Sequence, residues 1–171
     1  MASYTDTGSV EWVESGGGPL MAIPEGVLPF WTGADGDELA SDYDRACEVE
    51  GFVGLLPVGN ATALVLGEDP AATAYLPEHG TFVRWLAGES EGELLAGVPA
   101  ALDTAAWGRE VHWEVPGAVV LFDAAWPGEE STKTGHLRIA LAPGRYAVRA
   151  AHAEPGPETW LGLVQLRPLG S

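Results

Sequence analysis

The sequence predicts an α+β fold: a mostly antiparallel β-sheet with one or two helices inserted mid-chain, at about residues 80–104. Three observations carry this prediction. Short segments on both sides of the middle alternate apolar and polar residues with period two, as half-buried strands do. Turn pairs such as Gly59-Asn60 and Pro143-Gly144 stand between apolar runs, where a hairpin would reverse. In the middle, Ser90 is followed three residues later by Glu93, the capping-box spacing, and Leu94, Leu95, Val98 and Leu102 then fall near one helical face. By size the 171 residues form one domain, 1–171, with the polar residues 1–8 read as a flexible N-terminal tail.

Taken in order, Val10 and Trp12 alternate with Glu11 and read as a short strand, and Leu20 to Ile23 is an apolar run between Pro19 and Pro24. Thr32 to Asp44 is the most loop-like stretch and is expected to be exposed and mobile. Gly51 to Val58 and Ala63 to Leu66 flank Gly59-Asn60 and form a hairpin. Thr81 to Ala87 is assigned a short helix with Phe82, Leu86 and Trp85 inward, ahead of the capped helix, which Pro99 kinks or shortens. Val111, Trp113 and Val115 alternate with His112 and Glu114, and Pro116-Gly117 leads into Ala118 to Phe122. Leu137, Ile139 and Leu141, then Tyr146, Val148 and Ala150, flank Pro143-Gly144 and read as a hairpin with one wet face. Trp160 to Arg167 is the last strand. Trp12, Trp113 and Trp160 fall on apolar faces and are assigned to the core.

Charge bounds the function. Against 25 acidic residues stand 8 basic ones, a formal net charge of −17, with Lys133 the only lysine. Nucleic acid is excluded as a partner because neutralising phosphates needs a basic stripe. A basic protein partner fits, since complementary fields raise association rates, although acidity also simply keeps an apolar-rich chain in solution. Cys47 is the one cysteine, which points to a reducing compartment. No secretory signal or run of ~18 apolar residues is visible, so a cytoplasmic protein with no membrane partner is expected.

No catalytic signature survives inspection. Gly16-Gly17-Gly18 is followed by Pro19 and a strand-like run where a phosphate cradle needs a helix N-terminus, so a tight turn is the simpler reading. Ser15 lacks the nucleophile-elbow frame and reads as a turn or cap hydroxyl. His79, His112, His136 and His152 lack zinc-ligand spacing, and Cys47 is read as a small buried hydrophobe. From Asp35 to Glu50 there are seven carboxylates in sixteen residues, with Arg45 the only cation. A calcium loop starting at Asp35 fails at Ala40 and Ala46, where glycine and glutamate are required. The stretch is therefore either a solvated, self-repelling loop or a docking surface for a cation-bearing partner. The candidate partner-binding residues are Asp35, Asp37, Glu38, Asp42 and Asp44, with Trp31 and Trp126 as loop tryptophans able to anchor an interface. No enzyme activity, cofactor or metal is expected.

Several segments together resemble the Imm21 family of toxin-immunity proteins: Trp12 to Leu20 with its Ser15-Gly16-Gly17-Gly18-Pro19 core, Trp31-Thr32-Gly33, Asp42 to Cys47, Gly51 to Gly59, Ala63 to Gly67, and Thr159 to Pro168. The resemblance implies a protein that its bacterial owner keeps in the cytosol to bind and neutralise a cognate toxin, acting by contact and bringing no catalytic residues with it. With the charge, it implies a basic toxin, such as a nuclease that must hold phosphates. The free protein is expected to be a monomer or weak dimer. Two other readings stay open at this level: a small enzyme or ligand-binding domain with a site assembled from scattered residues, and a structural protein that oligomerises through a sheet edge.

Overall fold

The computed structural model describes residues 10–34, 41–67 and 70–169. The tail assigned to residues 1–8 and three candidate residues, Asp35, Asp37 and Glu38, lie outside that range. Ten strands are described: β1 Leu20–Pro24, β2 Val53–Val58, β3 Ala61–Leu66, β4 Thr73–Leu76, β5 Thr81–Ala87, β6 Val111–Val115, β7 Val119–Asp123, β8 His136–Ile139, β9 Gly144–Gly156 and β10 Thr159–Pro168. They form two five-stranded sheets, ordered β2-β3-β1-β7-β8 and β4-β5-β10-β9-β6, and the paired strands run antiparallel. Short helices complete the chain: 3-10 turns η1 Glu25–Phe30 and η2 Gly128–Lys133, and α1 Asp42–Cys47, α2 Glu91–Ala96 and α3 Val98–Thr104. The fold is α+β and mostly β, as the alternation predicts.

The two sheets face each other across one core. Leu20, Ala22, Leu64, Leu66, Val119, Leu121 and Ile139 from the first sheet meet Phe82, Trp113, Val115, Tyr146, Val148 and Val164 from the second. Fully burying an aliphatic or aromatic side chain stabilises by about 1.5–3 kcal/mol, so this interface, the largest of the apolar clusters among the described residues, contributes heavily to the fold's stability. The opposite faces are also apolar, which is why several strands read as continuous hydrophobic runs. On the first sheet, Met21, Ile23, Val65, Val120 and Phe122 are covered by Val27 of η1, Trp31 and Ala46 of α1. On the second, Val83, Leu161 and Leu163 are covered by Leu94 of α2 and Val98 and Ala101 of α3.

Some expectations hold and others need correction. The β2–β3 hairpin turns at Gly59-Asn60 with Val58 opposite Ala61. Ser90 caps α2, its Oγ accepting from the Glu93 N–H at 3.1 Å. Of the two effects expected of Pro99, the capped helix is short and not kinked: it stops at Gly97, and Pro99 sits in the first turn of α3, where its missing N–H costs nothing. Thr81–Ala87 is a strand, not a helix: it lies between β4 and β10, with Phe82 in the sandwich core and Val83 in the outer cluster. Burial on both faces erased the polar alternation that would have marked it. Leu137 to Ala150 is not a hairpin either, because β8 pairs with β7 while β9 joins β6 and β10 in the other sheet. Ile139 and Tyr146, Val148 and Ala150 all point into the same core, but from opposite sides. Val10 and Trp12 form no strand; only Val13 makes an isolated bridge, to Thr73. Trp12 is half-buried against Trp85, ring centroids 5.2 Å apart. Trp160 is 43% exposed, not core, since a register shift between Trp160 and Leu161 re-aims it.

Candidate functional site

Three chain segments converge beside the C-terminal end of β7. The first is the glycine turn: Ser15 Oγ donates to the Gly18 carbonyl at 2.7 Å and accepts from Gly17 N–H at 3.1 Å, and Gly17 takes φ 129°, so the triple glycine is a turn and Ser15 its hydroxyl. The second is Asp123, the last residue of β7, whose two carboxylate oxygens accept from Gly16 N–H at 2.8 Å and Ala125 N–H at 2.9 Å. It ties the glycine turn to the segment carrying Trp126. The third is α1. Ser41 and Asp44 form a reciprocal capping box, each side chain accepting from the other's backbone N–H at 3.1 Å.

Asp42 locks this helix to the preceding chain. Its Oδ2 accepts from Thr32 N–H at 2.9 Å and Thr32 Oγ1 at 3.0 Å, and its Oδ1 from Arg45 Nη1 at 2.8 Å, while Arg45 Nη2 donates to the Pro57 carbonyl at 3.1 Å. Burial pushes the Asp42 carboxyl up, but the hydrogen bonds from Thr32 and Arg45 and the Arg45 charge outweigh it and hold it below its ordinary 3.8. A depressed folded pKa stabilises the fold fully above the unfolded value, and that stabilisation disappears as pH falls through the folded one. We therefore expect the stability difference between the wild type and Asp42→Asn to be constant at neutral pH and to shrink below 3.8. Denaturant titrations at several pH values check this, and a difference that does not change with pH would mean that Asp42 is not held as described.

Between these segments lies a groove of about 420 Å³, lined by Gly16, Gly18, Tyr43, Asp123, Trp126 and Glu130 among others. Tyr43 is half-buried. Burial first, then the hydrogen bond with the Cys47 side chain and the negative charges of Asp123 and Asp44, push its phenol above the ordinary 10.0. A Cβ on Gly18 would run into the Tyr43 hydroxyl, so only glycine lets the ring lie where it does. No lysine or arginine among the described residues lines the groove.

The structure thus brings part of the predicted set together. Asp42, half-buried, and Asp44, exposed, sit on α1 beside the groove, not in a loop, and Trp126 lines it at 40% exposure. Trp31 is not an exposed anchor: it is 1% exposed, its indole N–H donates to the Ala124 carbonyl at 3.0 Å, and its carbonyl accepts from Gly128 N–H at 2.8 Å. Cys47 is exposed, contrary to its assignment as a buried hydrophobe. Tyr43, Asp123 and Glu130 were missed. Tyr43 stood in view as the one aromatic residue inside the acidic stretch, and Ser41-x-x-Asp44 is a capping-box spacing that marked the helix. Among the described residues, no three His, Cys, Asp or Glu side chains are grouped to hold a metal. A second depression, of about 480 Å³, opens where Pro70, Leu86, Ala87, His152 and Trp160 meet; beside it Phe52 stacks on His152 with ring centroids 4.1 Å apart.

Fold and site define the class: a two-sheet α+β protein with an open groove walled by aromatic rings and carboxylates. A family model described as Immunity protein 21 matches residues 11–159, which span the whole groove, and the chain belongs to that family. Comparison with curated proteins and with solved structures found no match. No helix among the described residues is long and apolar enough to cross a membrane.

Proposed function

We propose that this protein binds a cognate toxin and neutralises it in the cytoplasm of the cell that makes both, by laying the acidic face around α1 and Trp126 against a basic region of the toxin, such as the phosphate-holding cleft of a nuclease. Membership of an immunity-protein family supports the toxin as partner. The observation that carries the choice of face is the convergence of Asp123, Glu130 and the exposed Trp126 at one groove, with Asp44 exposed on the helix whose Tyr43 lines it, in a chain of net charge −17. The ends of the remaining acidic segment are fastened at the same place: Ala34 N–H donates to the Ala125 carbonyl at 3.0 Å and Tyr43 N–H to the Gly33 carbonyl at 3.0 Å. Asp35, Asp37 and Glu38 follow Ala34 in sequence and are counted with the proposed contact on their sequence alone. Asp42 contributes by holding α1 in place. The protein acts by contact, as a monomer or weak dimer until it meets the toxin, and needs no cofactor.

Rim carboxylates act chiefly on encounter. Replacing Asp35, Asp37, Glu38 and Asp44 together by Asn and Gln is expected to slow association with the cognate toxin domain about tenfold or more at low salt and to flatten its salt dependence. Stopped-flow association at several ionic strengths measures both. An unchanged rate and slope would remove this face from the mechanism, and Asp42→Asn, assayed separately, reports the structural contribution of the α1 anchor.

A further inference from the structure

We infer that the groove between α1 and η2 is a socket for one arginine side chain of the partner. The inference rests on the toxin-binding reading and adds to it the chemistry of the central contact. The groove combines two features that a guanidinium requires and an anion or an apolar side chain does not. Its walls include the rings of Tyr43 and Trp126, and a planar cation is attracted to aromatic faces through their quadrupole. Its lining also includes the carboxylates of Asp123 and Glu130. Asp123 is 9% exposed, and its carboxylate accepts from the backbone N–H groups of Gly16 and Ala125. Those bonds orient the carboxylate without neutralising it, and a carboxylate oxygen has room for a second donor. An ammonium meets the charge but not the planarity, so arginine is preferred to lysine.

The site is also built in advance. Gly18 leaves the space that Tyr43 fills, Gly33 lies against the Ala125 carbonyl, and the capping box of Ser41 and Asp44 fixes the helix that carries Tyr43. Little ordering is then left for the moment of binding, which is where affinity is otherwise lost. The negative charges of Asp123 and Asp44, close enough to act on the Tyr43 hydroxyl, favour a cation beside it.

The test titrates the intact protein with Nα-acetyl-arginine-N-methylamide, following the Trp126 indole and Ala125 amide by NMR, with the citrulline analogue as the uncharged isostere and the lysine analogue for shape. Saturable shifts confined to the groove are expected with blocked arginine, about tenfold weaker binding with citrulline, and an intermediate value with lysine. Trp126→Leu and Glu130→Gln, both at positions that are not fully buried, are expected to keep the wild-type thermal midpoint and to weaken blocked arginine and the cognate toxin alike, by ~5–30-fold for the tryptophan. Equal binding of arginine and citrulline, no saturable shift, or toxin affinity unchanged in both variants overturns the socket. If any of these occurs while the wild-type protein still neutralises the toxin, the toxin-binding reading survives without it. If arginine binds as expected but the wild-type protein gives no protection, the toxin-binding reading fails, and with it the assignment of the socket to the toxin.

Discussion

Alanine in place of Trp113 is expected to lower the unfolding free energy by about 3–5 kcal/mol, the cost of deleting a large aromatic side chain from a packed core. Trp113 lies on β6, fully buried, among side chains from both sheets. Its indole N–H crosses the interface and donates to the Thr62 carbonyl of β3 at 2.8 Å, so one residue supplies packing and a hydrogen bond between sheets that share no ladder. Alanine leaves a cavity in the sandwich core and a carbonyl without its donor. Phenylalanine restores most of the volume and is expected to cost only about 1–2 kcal/mol, most of it the lost hydrogen bond. Chemical denaturation of the two variants separates these contributions. In a chain of this size the alanine variant should melt about 10 °C lower. A Trp113→Ala protein no less stable than Trp126→Ala, whose ring is exposed, would show that the sheet-to-sheet interface is not the cooperative core.

Gly33→Ala is expected to damage the groove severely. Gly33 takes φ 64°, and a Cβ there would come within 2.6 Å of the Ala125 carbonyl oxygen and the Trp126 carbonyl carbon. Neither contact is with a flexible side chain, so the backbone itself has to move. Left-handed strain and displacement together should cost about 2–4 kcal/mol. The functional cost is separate. The displaced carbonyl is the acceptor for Ala34, and the Gly33 carbonyl is the acceptor for Tyr43, so the groove loses its shape with every charge still present. Protection against the toxin should fall even at temperatures where the variant remains folded. Gly92→Ala on α2, where the added Cβ meets nothing within 4 Å, is the matched control and should be neutral or slightly stabilising. Thermal melts and a co-expression survival assay on the pair distinguish loss of the groove from loss of the fold.

Which parts were legible in the sequence follows from what each signal encodes. Gly59-Asn60 specified a two-residue turn and so a local pairing, and β2 and β3 pair as the turn requires. Pro143-Gly144 specified a turn too, but the alternation around it reports only which side chains are apolar. In a sandwich, two strands can offer apolar residues to one core from opposite sheets, and their pattern is then the same as that of a hairpin. Trp31 and Trp126 look alike by local sequence, each within two residues of a glycine or proline. One is buried under the helices that cover the first sheet, and the other stands at the mouth of a groove.

By itself, the sequence determined the strand-rich class, the capped helix of the middle, the acidic stretch and the family, because these depend on composition, periodicity and short-range geometry. Only the tertiary structure decided which sheet each strand joins, that Asp42 anchors a helix, and that Asp123 and Trp126 share a groove with a tyrosine from the acidic stretch. The bonds that set these arrangements join residues as far apart as Gly16 and Asp123, and such pairings leave no mark in the local pattern of either segment.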